Sequence, residues 1–247
     1  MSGIVIMTIF TFLITLALCL AYLGFIAQGL RRFAWVILVG LPLPFVVNPL
    51  IKDPLIGWLG KTANITQGLG TATPFWFLIF LLLLSPIFEE AIKALPVLIP
   101  PLRRFLGSKM DSLWAGLALG FGFGLGEILY LAWTINSTPV YASYPWFAFT
   151  GFFSERLIST FAHGLMTAIV VSGFQRGGKK AIYGYLGGVG LHTLFNLGFF
   201  LNLLGIVSYT IVVVGWVFCL TVGLVAIGRL RRYAAIDQKR NETAMLG

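Results

Sequence analysis

Charge is what this sequence has least of, negative charge above all. Its 247 residues include 8 Asp or Glu, 17 Lys or Arg and 2 His, so the charged share is 10%, where a soluble domain carries about a quarter. No polar stretch is long enough to fold in water, which excludes a separate soluble domain and leaves residues 1–247 as one integral membrane domain. Cysteine is nearly absent: Cys19 and Cys219 both sit in apolar runs, which excludes a disulfide framework and a cysteine-based metal site and leaves them as packing residues. There is no low-complexity tract and no inverted internal repeat of the kind that marks many secondary transporters. The first apolar run, Ile4 to Ala27, lacks a preceding basic segment and exceeds a signal-peptide core, so it is expected to be kept as a helix. The net charge of +9 does not point to nucleic acid, because the basic residues fall in short clusters between apolar runs, as membrane loops do.

What is there is hydrophobic: 58% of residues, with a mean hydropathy of +0.94. Runs of the roughly 20 apolar residues that a span needs predict an all-α polytopic transmembrane bundle of about seven helices. They fall at about 4–28, 33–51, 74–99, 112–134, 148–173, 181–203 and 206–228. The longest connection, 52–73, is rich in Gly and Thr and leaves an interfacial or re-entrant stretch open. Arg31 and Arg32, then Arg103, Arg104 and Lys109, then Arg176, Lys179 and Lys180, then Arg229, Arg231, Arg232, Lys239 and Arg240 all fall on one side, thirteen of the 17 basic residues. The positive-inside rule makes that side cytoplasmic. Lys52 and Lys61 are expected on the opposite face. The N-terminus is then outside and the tail at 229–247 cytoplasmic, as for a protein of the plasma (inner) membrane.

The informative residues are polar ones inside predicted spans: Glu89, Glu90, Lys93, Glu127, Glu155, Arg156 and both histidines. Each charge at mid-membrane costs about 2.5–3.5 kcal/mol even on the lenient insertion scale, so six left unpaired would cost roughly 15–20 kcal/mol, more than a typical folding free energy. They must face one another, or water, within the bundle. Counted from the cytoplasmic end of each span, Glu89 and Glu90 lie about 10 residues in, Glu127 about 15, His163 about 10 and His192 about 11, within a turn or two of one level.

Local spacing adds to this. Lys93 lies one turn beyond Glu89 and Glu90 and can pair with one of them, leaving the other over. Pro86 frees a carbonyl just ahead of the pair, where a kink or water entry is expected. Gly116, Gly120, Gly122, Gly124 and Gly126 precede Glu127 with the small-residue spacing that lets helices approach closely. Glu127 has no partner in its own helix and must be satisfied across the bundle or by water. Arg156 and His163 share a face two turns apart, with Glu155 able to neutralise Arg156, and His192 and Asn196 share a face four residues apart.

These elements resemble the intramembrane protease superfamily that joins the PrsW proteases with the type II CAAX prenyl proteases (CPBP). The PrsW-like branch is nearer: Glu-Glu-x-x-Lys at Glu89, Glu90 and Lys93; a Gly-Phe-Gly element ending in Glu127; Arg156 followed by His163; and His-x-x-x-Asn at His192 and Asn196. The resemblance spans roughly 85–200, inside a motif-bearing core at about 74–203. Where that branch has a Glu-Asn pair, Ile128 replaces the Asn. The resemblance implies an intramembrane endopeptidase acting on a membrane protein or membrane-tethered peptide. Glu89 or Glu90 would be the general base, with Glu127, His163, His192 and Asn196 completing the catalytic set and Lys93 and Arg156 in support. In one version His163, His192 and Glu127 bind a metal, with zinc favoured. In the other a carboxylate polarises water directly while the histidines and Asn196 stabilise the oxyanion. Two other classes fit the same buried groups: a proton- or ion-coupled transporter, since such residues also make proton relays, and a non-catalytic membrane scaffold of the same superfamily.

Overall fold

The computed structural model describes residues 2–26, 30–63, 65, 73–141 and 143–246, and every regular element among them is helical. The principal helices are α1 (Gly3–Phe25), α2 (Leu30–Gly40), α3 (Pro44–Val47), α4 (Asp53–Thr62), α5 (Phe75–Ala94), α6 (Pro100–Arg103), α7 (Lys109–Asn136), α8 (Thr150–Arg176), α9 (Lys179–Leu203) and α10 (Tyr209–Leu246). Seven stretches among the described residues are long and apolar enough to cross a membrane: Gly3–Phe25, Arg32–Thr62, Phe75–Leu98, Lys109–Asn136, Trp146–Arg176, Lys179–Leu203 and Tyr209–Gln238.

The second of these departs from the sequence reading. A connection is expected from Lys52, but the chain stays helical to Thr62, passing from α3 through a π-helical turn at Asn48–Lys52 into α4. Pro44, Pro49 and Pro54 each fall in the first turn of a helical piece, and the π-helical turn between the pieces accommodates the missing N–H groups of Pro49 and Pro54 within the continuous helix. The buried Asn48 side chain donates to the Pro44 carbonyl at 2.9 Å and holds the first junction. Lys52 therefore sits within a span rather than on the far face. The remainder of the expected connection, at 64 and 66–72, lies outside the described residues. At the other end, the expected tail from residue 229 continues α10 as a helix to Leu246.

The centre of the bundle is the pair α7 and α8. In their spans 78% and 72% of the apolar window is buried, against 33% or less in every other span, so the others form a lipid-facing ring. Ser108 caps α7 by accepting from the Asp111 amide at 3.3 Å. Its glycines then let two neighbours press on opposite sides. A Cβ on Gly120 would stand 2.3 Å from the His163 carbonyl oxygen of α8, and one on Gly126 would stand 1.9 Å from the Leu41 carbonyl oxygen just past α2. Neither position admits a side chain, and this contact brings the backbone of α8 against α7 where Glu127 and His163 are to meet. The apolar core continues outward through Leu23 of α1, Ile37 of α2, Phe121 of α7 and Val171 of α8.

The basic clusters gather at one end of the bundle. Arg32 pairs with Asp111, Lys109 pairs with Asp237 at 2.8 Å, Arg176 stacks over Tyr233 and Arg231 over Trp114.

Candidate active site

Five elements deliver ionisable side chains to one buried cluster. Along α5, Glu89, Glu90 and Lys93 are 2%, 0% and 0% exposed, and the helix runs through Pro86 without interruption. Glu90 Oε1 accepts from Lys93 Nζ and from His192 Nδ1 at 2.8 Å. Lys93 Nζ also donates to His163 Nδ1 at 3.0 Å and lies over the Phe123 ring. On the far side of that imidazole, Nε2 is 3.1 Å from Glu127 Oε2, which accepts from Arg156 at 2.8 Å. Arg156 is in turn held by Glu155 at 2.5 Å. The two imidazole centroids are 5.2 Å apart.

These bonds fix the protons. A lysine ammonium only donates, so Lys93 occupies the Nδ1 lone pair of His163 and leaves the ring proton on Nε2, directed at Glu127. His192 is the reverse: Nδ1 donates to the Glu90 carboxylate, so in the neutral ring Nε2 carries the lone pair. Nε2 lies 3.9 Å from Glu89 Oε2, a buried oxygen with no hydrogen-bond partner among the described residues. The other oxygen of Glu89 accepts from Lys52 Nζ at 2.6 Å.

A cavity of about 340 Å³ opens onto this cluster. Its polar wall carries Lys52, Glu89, Glu127, Arg156, His163, His192 and Asn196; its apolar wall carries Phe195, Phe199, Phe200 and Trp216. Leu82, whose carbonyl Pro86 leaves without its helical donor, lies on the same surface. Glu90 and Lys93 do not reach the cavity and stand behind it as a buried pair.

Every residue singled out from the sequence is thus in or directly behind one site, and the structure divides the adjacent glutamates. Glu90 takes Lys93; Glu89 faces the cavity. For metal binding the groups that come together are Glu89, His163 and His192, each offering a ligand atom within 4.8 Å of the others. Glu127, the carboxylate of the expected ligand set, is engaged by Arg156 and His163. The donor types fit a catalytic zinc set of two imidazoles and a carboxylate, and the buried Glu89 Oε2 has no hydrogen-bond partner among the described residues. His163 has both ring nitrogens engaged, by Lys93 and by Glu127, and would have to give up one of those bonds to serve as a ligand.

Sequence reasoning missed Lys52 and the aromatic wall. The signal for Lys52 was present: Leu50 and Ile51 before it and Leu55 and Ile56 after it continue the apolar run that the prolines seem to stop. The wall is carried by ordinary apolar residues of α9 and α10, which nothing in a single sequence separates from lipid-facing ones.

A family model described as PrsW family intramembrane metalloprotease matches residues 26–223. No curated protein and no solved structure matches the chain.

Proposed function

The chain belongs to the PrsW family of intramembrane metalloproteases, and from that premise we propose that Glu89 is the carboxylate of its reacting centre. The observation that carries this is the buried Glu89 Oε2, unpartnered and 3.9 Å from His192 Nε2 at the cavity surface, a separation that one water can bridge. That water gives its proton to Glu89 as its oxygen attacks the scissile carbonyl. Glu90 orients His192 through Nδ1 and keeps the Nε2 lone pair aimed at the water. Lys93 and Arg156 hold the surrounding carboxylates ionised. Asn196 and Lys52 are the donors on the cavity wall that face the developing oxyanion. The Phe195, Phe199, Phe200 and Trp216 wall receives apolar side chains of a membrane protein or membrane-tethered peptide.

Zinc is the metal this donor set suits; Glu89, His163 and His192 would hold it, and it would supply Lewis-acid activation of the water. Glu127 lines the same cavity and is the second carboxylate to be tested. The test is Glu89→Gln beside Glu127→Gln, each assayed on a membrane-tethered peptide and each analysed for bound metal. Glu89→Gln should lower cleavage by about 10²-fold or more, and metal loss in the same variant assigns Glu89 as ligand. Wild-type cleavage by Glu89→Gln defeats the assignment.

The shared Glu-Glu-x-x-Lys and His-x-x-x-Asn elements support placing the chain in the wider superfamily with the type II CAAX prenyl proteases. The gathered basic clusters support an outside N-terminus and cytoplasmic tail in the plasma (inner) membrane.

A further inference from the structure

Away from the catalytic cavity, a second polar feature lies at the basic end, where α8, α9 and α10 meet. Two adjoining cavities, of about 600 and 280 Å³, share Ile169, Arg176 and Leu230 and so form one groove. The larger lobe runs along Val222 and Val225 of α10, both half exposed toward lipid. The smaller reaches Lys180 at the start of α9. Arg176, Lys180 and Arg229 line the mouth, and none has a carboxylate within ion-pair distance among the described residues; the nearby acids are engaged elsewhere, Asp111 by Arg32 and Asp237 by Lys109. Three cations converge on a groove that no carboxylate among the described residues lines.

Two further observations point to a ligand. Ser172, 5% exposed, lines the smaller lobe with a hydroxyl that has no hydrogen-bond partner among the described residues. A buried hydroxyl without a partner is destabilising, and a phosphate oxygen satisfies it. The 25-residue α9 also begins here, its N-cap Gly178 supplying no side-chain cap to the first amides, so the positive end of the helix faces the same mouth. The groove lies where α8 ends and α9 begins, the level of lipid phosphates, with its apolar lobe running from there along α10.

We propose that this groove binds an anionic phospholipid, its phosphate between Arg176, Lys180 and Arg229 and within reach of Ser172, and one acyl chain along Val222 and Val225. Arg176 is held in place for this by stacking over Tyr233 at 4.7 Å. Charge complementarity selects an acidic headgroup, and the apolar lobe selects a lipid over free phosphate.

The experiment uses the full chain in nanodiscs of phosphatidylcholine alone or mixed with phosphatidylglycerol. Lipid retained after detergent extraction is read by native mass spectrometry and thermal stability is measured alongside. Phosphatidylglycerol should be retained in preference and should raise the melting temperature. Arg176→Gln with Arg229→Gln should weaken that preference about thirtyfold, two cations at a membrane surface being involved, while Arg103→Gln with Arg232→Gln, equal in charge change but outside the groove, should keep it. Ser172→Ala should weaken it less. An unchanged melting temperature in phosphatidylcholine verifies that each variant folds; if the double variant does not, Arg229→Gln alone is scored by the same criterion. Equal loss in both double variants reduces the effect to diffuse surface charge and overturns the proposal. So does equal retention of phosphatidylcholine, or complete displacement by inorganic phosphate.

Discussion

At the scale of single residues, the adjacent glutamates carry different burdens. Among the described residues Glu90 is the only carboxylate bonded to the fully buried Lys93, so Glu90→Gln leaves an uncompensated ammonium at a cost of about 3–5 kcal/mol. Thermal unfolding in detergent should show this as a large drop in melting temperature. Glu89→Gln, whose partner Lys52 reaches the cavity, should be far milder. An equal drop in the two variants contradicts the division. Lys52→Met should in turn leave Glu89 without its cation and lose both stability and cleavage. Adding Glu89→Gln to it should recover the stability and not the cleavage, because the double variant removes both charges. The need for Glu89, Glu90, Glu127, His163 and His192 to converge was legible, since buried charge has nowhere else to go in a span. Which glutamate meets Lys93 was not, because i,i+3 and i,i+4 spacings both serve and only the side-chain directions decide.

At the scale of elements, α7 acts as a spacer with glycines at its closest contacts on two faces. Gly120→Ala should force α8 away from α7, since the added carbon would overlap the His163 carbonyl. The expected result is a destabilised protein with little cleavage. Gly190→Ala, where a Cβ meets nothing within 4 Å, should be neutral or up to about 1 kcal/mol more stable from helix propensity. Comparable damage from both changes would mean the contact is not what matters. The glycine spacing announced a close approach but not its partners: Gly120 faces α8 and Gly126 faces the end of α2, two faces that one helical repeat cannot distinguish. The second span was misread for a related reason. Proline reads as a break unless each one falls at the start of a helical piece, and that depends on the π turn that carries Lys52 inward.

At the scale of the whole molecule, the seven spans and the crowding of basic residues at one end followed from hydropathy and charge alone. The fate of the tail did not, because a polar helix and a polar coil share a composition. Orientation can be tested with the protein's own chemistry, since Cys19 and Cys219 are buried and give little background. A cysteine introduced at Ser2 should react with an impermeant maleimide from outside intact cells, and one introduced at Gly247 only after lysis. The reverse pattern contradicts an outside N-terminus.

The chain of contacts from Lys52 through Glu89, His192, Glu90, Lys93, His163, Glu127 and Arg156 to Glu155 also has an arithmetic of its own. Four carboxylates and three permanent cations leave the interior one unit negative when both imidazoles are neutral. In a medium that cannot screen, that imbalance is a standing electrical demand on whatever enters. A neutral peptide bond does nothing to meet it, and an anionic transition state makes it worse. Hydrolysis at this site is therefore favoured when a proton or a metal cation accompanies it and offsets that charge.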